Sequence, residues 1–512
     1  MKSSLVLSAK LRRKRLEKRM MAEGVVAASA PALEPSLSDE CVKPFTPEQA
    51  KEIVMSLQNP AVFCNMTFDW PALHWNVSYL AELLAEKKIP FRMGTKNMDT
   101  APLFETECSY VAATLEEFLA WSRRHPPCSS GPFSGYDLCK YWTYADYKYI
   151  VKLFEDNSEH FQDVRWSDFG FFGRNGREST LWIGSAGANT PCHLDSYGCN
   201  LVLQVQGRKR WHLYPPEDSS FLYPTRIPYE ESSVFSKVNV INPNLESFPR
   251  FKKAQAHVVT LDPGQVLFVP RHWWHYVESI DPITVSINSW IELDSDHEAR
   301  IEEAITRTLI GAIKSTEKPS ASDCWLNPTE VEMTSYETNL QYLNGAVSTY
   351  LQHQKTSKTE HRDTGTPETE GILPDKCKRI KVQVNAELEG FKSMPSDPHL
   401  TIIKTKKLKQ IPFGPSLFQV LPQDWETNPT GEAESDCTDI LNEDEGHFGE
   451  LDCGGKTSII NSSSGALVDH KNPCGGTSST QTSICTNDLL DCVLNPQVIS
   501  LIAHLLLEKA SV

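Results

Sequence analysis

The chain contains no Cys-x-x-Cys pair, although 14 of its 512 residues are cysteine. Cysteines paired at that spacing hold zinc or form a thioredoxin-type redox centre, so their absence argues against both kinds of site. The cysteines are scattered along a long chain without a signal peptide, a pattern typical of reduced thiols. We therefore expect a cytoplasmic protein, with the nucleus as the alternative location.

Two further absences limit what the surface can bind. No apolar run reaches the roughly 18–20 residues that cross a bilayer, so we expect no membrane span. Positive charge is not in excess, since the net charge is -16, which argues against a general nucleic-acid binder. The charge is uneven, because residues 1–20 are basic and residues 424–452 are acidic. Residues 1–43 are predicted to be a basic disordered leader, with a targeting or nuclear signal as the alternative.

The chain also lacks the alternation of strands with long helices that a doubly wound sheet requires. Residues 44–175 have the pattern of a helical and strand framework. After them, short strand-like runs separated by Gly and Pro indicate a sandwich or barrel over residues 176–292. The runs are Leu181–Gly184, Leu201–Val205, Arg210–Tyr214, His257–Leu261, Val266–Val269 and Ile283–Ile291. We therefore predict a mainly β fold with flanking helices.

Helical and low-complexity segments follow the predicted barrel. Residues 293–353 are predicted to be helices, and the stretch 295–315 carries one apolar stripe. That stripe either packs on the barrel of the same chain or forms a homodimer. Residues 354–485 are rich in Ser, Thr, Gly, Pro and charge, which predicts a long disordered linker in the C-terminal tail. Residues 486–512 are predicted to be an apolar helix that either docks on a partner or folds back onto the barrel.

One motif carries metal-binding chemistry. His193 and Asp195 are two residues apart, so on a strand both side chains project to the same side. One imidazole and one carboxylate supply two of the three protein ligands of a non-haem iron site. The motif alone is weak, because His361 and Asp363 repeat it in a low-complexity stretch.

The third ligand is expected far downstream of the first two, where a jelly roll can bring distant strand ends together. His275, just past a strand-like run, is the candidate, and His272 is its rival. The two lie an odd number of residues apart, so on a strand only one of them can point inward.

Three polar residues fall inside hydrophobic strand patterns. Lys209 shares a strand face with Trp211, and a lysine on an inward apolar face is costly unless an anion meets it. A surface lysine in a basic turn is the alternative. Asn200 and Asn288 also interrupt strand patterns, where Asn is depleted, so each invites a polar partner.

The segments around these residues resemble the JmjC (cupin-8) oxygenases over roughly residues 44–315. The resemblance implies a double-stranded β-helix, which is a jelly-roll, cupin-like barrel. It further implies an Fe(II)- and 2-oxoglutarate-dependent enzyme. It rests on Thr190–Asp195, Cys199–Val202, Gln206–Arg210, Pro263–Pro270 and Trp273–His275.

Residue by residue, the resemblance assigns Fe(II) to His193, Asp195 and His275. It implies that Lys209 and Thr190 hold the distal carboxylate of 2-oxoglutarate. It also places Asn200 and Asn288 along the co-substrate and oxygen side. An upstream tyrosine would reach the same carboxylate, with Tyr144 preferred over Tyr141. The family's hydroxylases place the Asn six residues after the first His; here it is the seventh, and a bulge in the strand would absorb the extra residue.

Over its whole length the chain is similar to JmjC proteins that associate with a small heat-shock protein, which implies such a partner. Two hypotheses follow. The first is an oxygenase of the hydroxylase or demethylase type that is linked to cellular stress. The second is a catalytically idle adaptor that binds and restrains a small heat-shock protein.

Overall fold

The computed structural model describes residues 42–96, 99–123, 131–315, 334–360, 410–423 and 486–511. Its strands are β1 (Ala61–Phe63), β2 (Ile89–Thr95), β3 (Ser109–Ala113), β4 (Tyr141–Tyr149), β5 (Thr180–Ser185), β6 (Asn189–Asp195), β7 (Cys199–Gln206), β8 (Lys209–Tyr214), β9 (Pro224–Glu230), β10 (Ser233–Ser236), β11 (His257–Leu261), β12 (Val266–Val269), β13 (Trp274–Ser279), β14 (Ile283–Ile291) and β15 (Leu417–Gln419). Its helices are α1 (Pro47–Ser56), α2 (Val77–Leu84), α3 (Leu115–Ser122), α4 (Ile150–Leu153), α5 (His297–Lys314), α6 (Tyr336–Glu360), α7 (Thr486–Val493) and α8 (Pro496–Ser511).

The strands of the described residues form two antiparallel sheets that face each other across a cavity. The large sheet has the order β15-β1-β12-β7-β14-β5-β4-β2-β3, and the small sheet has the order β11-β8-β13-β6-β10-β9. Each of the six strand-like runs after residue 175 is a strand, so the predicted mainly β, cupin-like fold with flanking helices is confirmed.

The large sheet extends well beyond the predicted barrel. Four of its strands, β1 to β4, come from the framework of residues 44–175 and continue the hydrogen bonding of β12 and β5. The framework is therefore part of the sandwich and supplies β4 to the cavity. Its helices begin where the sequence caps them: Thr46 forms a capping box with Gln49 at α1, and Thr114 forms one with Glu117 at α3.

The helices α5, α7 and α8 pack together against the small sheet. Ile301 and Ile305 of α5 share a buried cluster with Leu490, Ile499 and Tyr229. The apolar stripe of α5 is thus covered by helices of the same chain, and the C-terminal segment folds back. The predicted single helix over 486–512 is corrected to two helices, because the chain breaks between α7 and α8 with a bend of 58°.

No single helix of the described ranges is long and apolar enough to cross a membrane. Only α7 and α8 taken together, bent as they are, satisfy the length and composition of such a span.

The predicted disordered linker over 354–485 is wrong at two places. α6 continues through residue 360, and β15 pairs with β1 at the edge of the large sheet. The physical reason at β15 is burial, since Leu417 and Val420 enter the two cores beside β1. Residues 361–409 and 424–485 of that linker, the basic leader up to residue 41 and the repeated motif at His361 lie outside the described residues.

Replacing Leu417 by Ala tests the contribution of β15 to stability. Leu417 is 0% exposed, whereas its neighbour Phe418 faces outward and is 37% exposed. Truncating a fully buried leucine costs about 2–5 kcal/mol of unfolding free energy, and Phe418→Ala should cost much less. Equilibrium denaturant unfolding of both variants measures the difference. Equal losses would contradict the placement of β15.

Candidate functional site

The pairing of two strands in the small sheet brings two histidines together. β6 and β13 are antiparallel, and His193 lies directly opposite His275 in their register. Directly opposed side chains on one sheet face are in contact, and the two ring centroids are 4.2 Å apart. Asp195 lies two residues further along β6 and therefore on the same face. One ligand atom from each of these three residues lies within 4.8 Å of the others.

Hydrogen bonds to the backbone set the orientation of both imidazoles. Nδ1 of His193 lies 2.8 Å from the carbonyl oxygen of Pro191, and Nδ1 of His275 lies 2.9 Å from that of Trp273. A carbonyl oxygen can only accept, so Nδ1 carries the hydrogen in each ring. The Nε2 lone pair of each ring is therefore available to a metal ion.

Burial keeps both imidazoles neutral. It lowers the pKa of His275 to about 4, and burial with the nearby His275 lowers the pKa of His193 to about 4. Burial also raises the pKa of Asp195, against the opposing effects of His193 and of a hydrogen bond from Trp290. The Nε1 of Trp290 donates that bond to Oδ2 of Asp195 at 3.1 Å. Two neutral imidazoles and a held carboxylate are a donor set that can bind a metal ion.

A buried lysine projects from the same sheet as the two histidines, because β8 pairs with β13, and its ammonium group reaches hydroxyls of the large sheet. Nζ of Lys209 donates to Oη of Tyr144 at 3.1 Å and to Oγ of Ser286 at 2.8 Å. Thr190 adds a third hydroxyl through its hydrogen bond with Tyr144. Burial lowers the pKa of Lys209 to about 7. No carboxylate of the described ranges forms an ion pair with Lys209, so this corner of the cavity suits an anion.

Two asparagines and a tryptophan form a hydrogen-bonded chain on the large sheet. Nδ2 of Asn288 donates to Oδ1 of Asn200 at 3.0 Å, and Nε1 of Trp182 donates to Oδ1 of Asn288 at 2.7 Å. Each asparagine thus has the polar partner that its position inside a strand requires.

The extra residue between the first histidine and Asn200 does not displace the cavity residues. From Asn200 onward β7 pairs regularly with β12, and the pairing of β7 with β14 shifts later, at Val205. Asn200 and Lys209 both lie beside His193 and His275, despite the extra residue before Asn200 and the register shift at Val205.

Most of these side chains line one small space, which we call the central cavity. It has a volume of about 40 Å³, on the scale of one or two water molecules. A larger ligand enters only if lining side chains move. Its polar lining consists of Tyr144, Tyr147, Thr190, His193, Asn200, Lys209, His275, Ser286 and Asn288, together with three tryptophans.

The structure distinguishes the alternatives that the sequence left open at two positions. Tyr144 faces the central cavity, whereas Tyr141 packs against Tyr136 outside it. His272 has a positive φ of 65° and its Nε2 lies 2.8 Å from the carbonyl oxygen of Ser196. It is therefore directed away from the three donor residues and supports the turn that follows Asp195.

Comparison with known proteins places this site in a family context. A family model described as Cupin-like domain matches residues 47–297. The chain is 56% identical to HSPB1-associated protein 1 of Homo sapiens over 489 residues, which cover 95% of this chain and 98% of that protein. It is 49% identical to HSPB1-associated protein 1 homolog of Danio rerio over 91% of this chain and 98% of that protein. The chain belongs to the HSPB1-associated protein 1 family.

A more distant similarity covers about half of the chain. Lysine-specific demethylase 8 of Danio rerio is 28% identical over 268 residues, which cover 51% of this chain and 60% of that protein. The chain is thus also similar, at lower identity, to a protein named as a lysine-specific demethylase.

Sequence reasoning missed three side chains of the site. Ser286 accepts a hydrogen bond from Lys209, Trp182 donates one to Asn288, and Trp290 donates one to Asp195. Ser286 and Trp290 alternate with Asn288 along β14, so their shared face was the available signal. Trp182 lies in the predicted strand Leu181–Gly184, which contains no polar residue to indicate which of its faces points toward the site.

A second missed feature is the buried cluster beside Tyr144. Nε of Arg92 donates to Oδ2 of Asp146 at 2.6 Å, and its Nη2 lies 3.7 Å from Oε1 of Glu105. Burial and the neighbouring Asp146 raise the pKa of Glu105, against the effect of Arg92. Nothing in the spacing of these three residues brings them together before the fold is known.

The metal-free protein should lose stability as the pH falls from about 6.5 to about 4. In that window the unfolded chain protonates His193 and His275 while the folded chain, with both pKa values near 4, does not. The loss between pH 7 and pH 5 is about 1–2 kcal/mol per imidazole. Denaturant unfolding in the presence of a chelator measures it.

The double variant His193→Gln/His275→Gln tests this effect, because it removes both imidazoles and keeps every other titrating residue of the chain. Its stability should fall less between pH 7 and pH 5 than that of the natural chain. Equal slopes for the two proteins would contradict the neutral, buried state of the two imidazoles.

Proposed function

We propose that this chain is an Fe(II)- and 2-oxoglutarate-dependent oxygenase of the hydroxylase or demethylase type. The observation that carries the proposal is the convergence of two neutral imidazoles and one carboxylate near Lys209, a buried lysine with no carboxylate partner among the described residues. Two histidines and one carboxylate with open positions suit ferrous iron in oxygenases. The demethylase named among the relatives is consistent with that reaction class.

His193, Asp195 and His275 would hold the iron. Their Nε2 atoms and carboxylate already face one another, and the bonds to Pro191, Trp273 and Trp290 hold them in that orientation. Such outer contacts reduce the reorganisation that metal binding requires.

Lys209 would hold the distal carboxylate of 2-oxoglutarate. The hydroxyls of Tyr144 and Ser286 contact its ammonium group, and Thr190 is hydrogen-bonded to Tyr144, so these hydroxyls can donate to the same carboxylate. Charge-assisted hydrogen bonds of this kind are stronger in a dry site than in water. The bound anion would in turn favour the protonated form of Lys209, because an opposite charge raises the pKa of an ammonium group.

The reaction itself belongs to the bound iron and co-substrate. With dioxygen they would convert 2-oxoglutarate to succinate and carbon dioxide and place one oxygen atom on a C–H bond of the substrate. The chain contributes orientation and exclusion of water, since Trp182, Trp211 and Trp290 line the central cavity.

Anaerobic titration with Fe(II) and 2-oxoglutarate, followed by a succinate-release assay in air, tests the proposed activity. The natural chain should bind 2-oxoglutarate only with iron present and release succinate. His193→Ala should abolish both, because it removes one of three metal ligands. Lys209→Met should retain iron and weaken 2-oxoglutarate binding by at least about tenfold. Binding of 2-oxoglutarate that does not depend on metal would overturn the proposal.

A second candidate function is association with a small heat-shock protein. Relatives covering nearly the whole chain are named for association with HSPB1. The outward face of α8 carries an apolar stripe of Val498, Leu501 and Leu505, which are 38–58% exposed. An amphipathic helix with such a stripe can dock into an apolar groove. We infer that this outward stripe contacts the partner while the inward face of α8 stays packed on α5.

The double variant Leu501→Gln/Leu505→Gln tests the outward stripe without disturbing the inward face. Affinity for purified HSPB1, measured by calorimetry, should fall at least about tenfold, because two apolar side chains leave the interface. Leu421→Gln is the matched control, since Leu421 is comparably exposed on a different segment. Unchanged affinity in the double variant would place the contact with HSPB1 elsewhere on the chain. His193→Ala should bind HSPB1 normally, because His193 lies in the central cavity and not on α8, and a loss of affinity in this variant would contradict that placement.

A further inference from the structure

The residue that follows Asp195 is held through three of its polar atoms. The backbone N–H of Ser196 donates to the carbonyl oxygen of Ser232 at 2.7 Å. Its carbonyl oxygen accepts from His272, and its hydroxyl donates to Oε1 of Glu303 at 2.7 Å. Asp195 itself forms the last pair of β6 with β10, opposite Ser233. Beyond that pair the position of the chain depends on the contacts of Ser196.

Glu303 is the centre of these contacts. It is 4% exposed and lies on α5, far from the strand in sequence. Its carboxylate accepts from Ser196, from the guanidinium of Arg226 and, at 3.1 Å, from the backbone N–H of Ser232. Arg226 compensates the buried charge and also donates to the carbonyl oxygen of Ser233 at 2.9 Å. One carboxylate therefore joins α5, β9, β10 and the end of β6.

The helix that supplies Glu303 is itself positioned by the C-terminal segment. Ile301 and Ile305 of α5 pack against Leu490 and Ile499 of α7 and α8. A second tie runs parallel to the first, since Asp296 accepts from the backbone N–H of Gly198 at 3.0 Å. The metal-ligand strand is thus connected to α5 at both sides of the turn after Asp195.

We propose that Glu303 is a positioning residue that holds Asp195 ready for the metal ion through Ser196. The proposal rests on the metal site proposed above. Without the hydrogen bond between Ser196 and Glu303, the end of β6 gains conformational freedom. Metal binding must then restrict that freedom again, which lowers the affinity for the metal ion. Loss of an outer contact to a ligand lowers metal affinity about 10- to 100-fold.

Titration of the metal-free full chain with Co(II), followed by calorimetry and by the visible absorption of the bound ion, tests this role. Ser196→Ala removes the connecting hydroxyl and leaves the Arg226–Glu303 pair intact, so it should fold. It should weaken Co(II) binding by about 10- to 100-fold and change the absorption spectrum. Glu303→Gln keeps an acceptor oxygen and should give a smaller loss than Glu303→Ala.

Glu302→Gln is the matched control, because it removes the same charge one residue away while its carboxylate bonds Ser500 of α8 instead. It should bind Co(II) as the natural chain does, with an unchanged spectrum. A purely structural role for Glu303 would lower the melting temperature of Ser196→Ala but leave affinity and spectrum unchanged, and that result would overturn the inference. Failure of the natural chain to bind Co(II) would instead overturn the metal site itself.

Discussion

The antiparallel register of β6 and β13 is the constraint on which the site depends. It sets His193 opposite His275, and the two-residue period of a strand then adds Asp195 on the same face. A slip of β6 by one residue would send His193 and Asp195 to the other face of the sheet, away from His275. The surrounding contacts hold that register: β8 pairs with β13 on one side, and β10 pairs with β6 on the other.

Burial sets the protonation states that make this arrangement able to bind ligands. The same desolvation that keeps the two imidazoles neutral also makes Lys209 a costly cation, surrounded by the hydroxyls of Tyr144 and Ser286. Neutral imidazoles are ready to bind a metal ion, and a buried cation is ready to bind an anion. Both groups project from the small sheet into one small cavity, where the proposed co-substrate would contact the metal ion and Lys209 together.

Residue pattern alone predicts the strands and places His193 and Asp195 on one strand face, because both follow from the two-residue period. It left His275 and His272 as alternatives for the third ligand, and only the family resemblance favoured His275. The same period marks Lys209, Asn200 and Asn288 as polar residues in apolar strands. It cannot predict Glu303, since the contact with Ser196 joins residues more than a hundred positions apart through helix packing. It also missed β15, because three residues in a polar segment become a strand only beside the open edge of β1.

Anomalous diffraction tests the central claim most directly. Crystals loaded anaerobically with Fe(II) should be measured on both sides of the iron absorption edge. The account predicts one strong anomalous peak between Nε2 of His193, Nε2 of His275 and the carboxylate of Asp195. An iron peak at another position, or bound iron without a peak among these three residues, would contradict it.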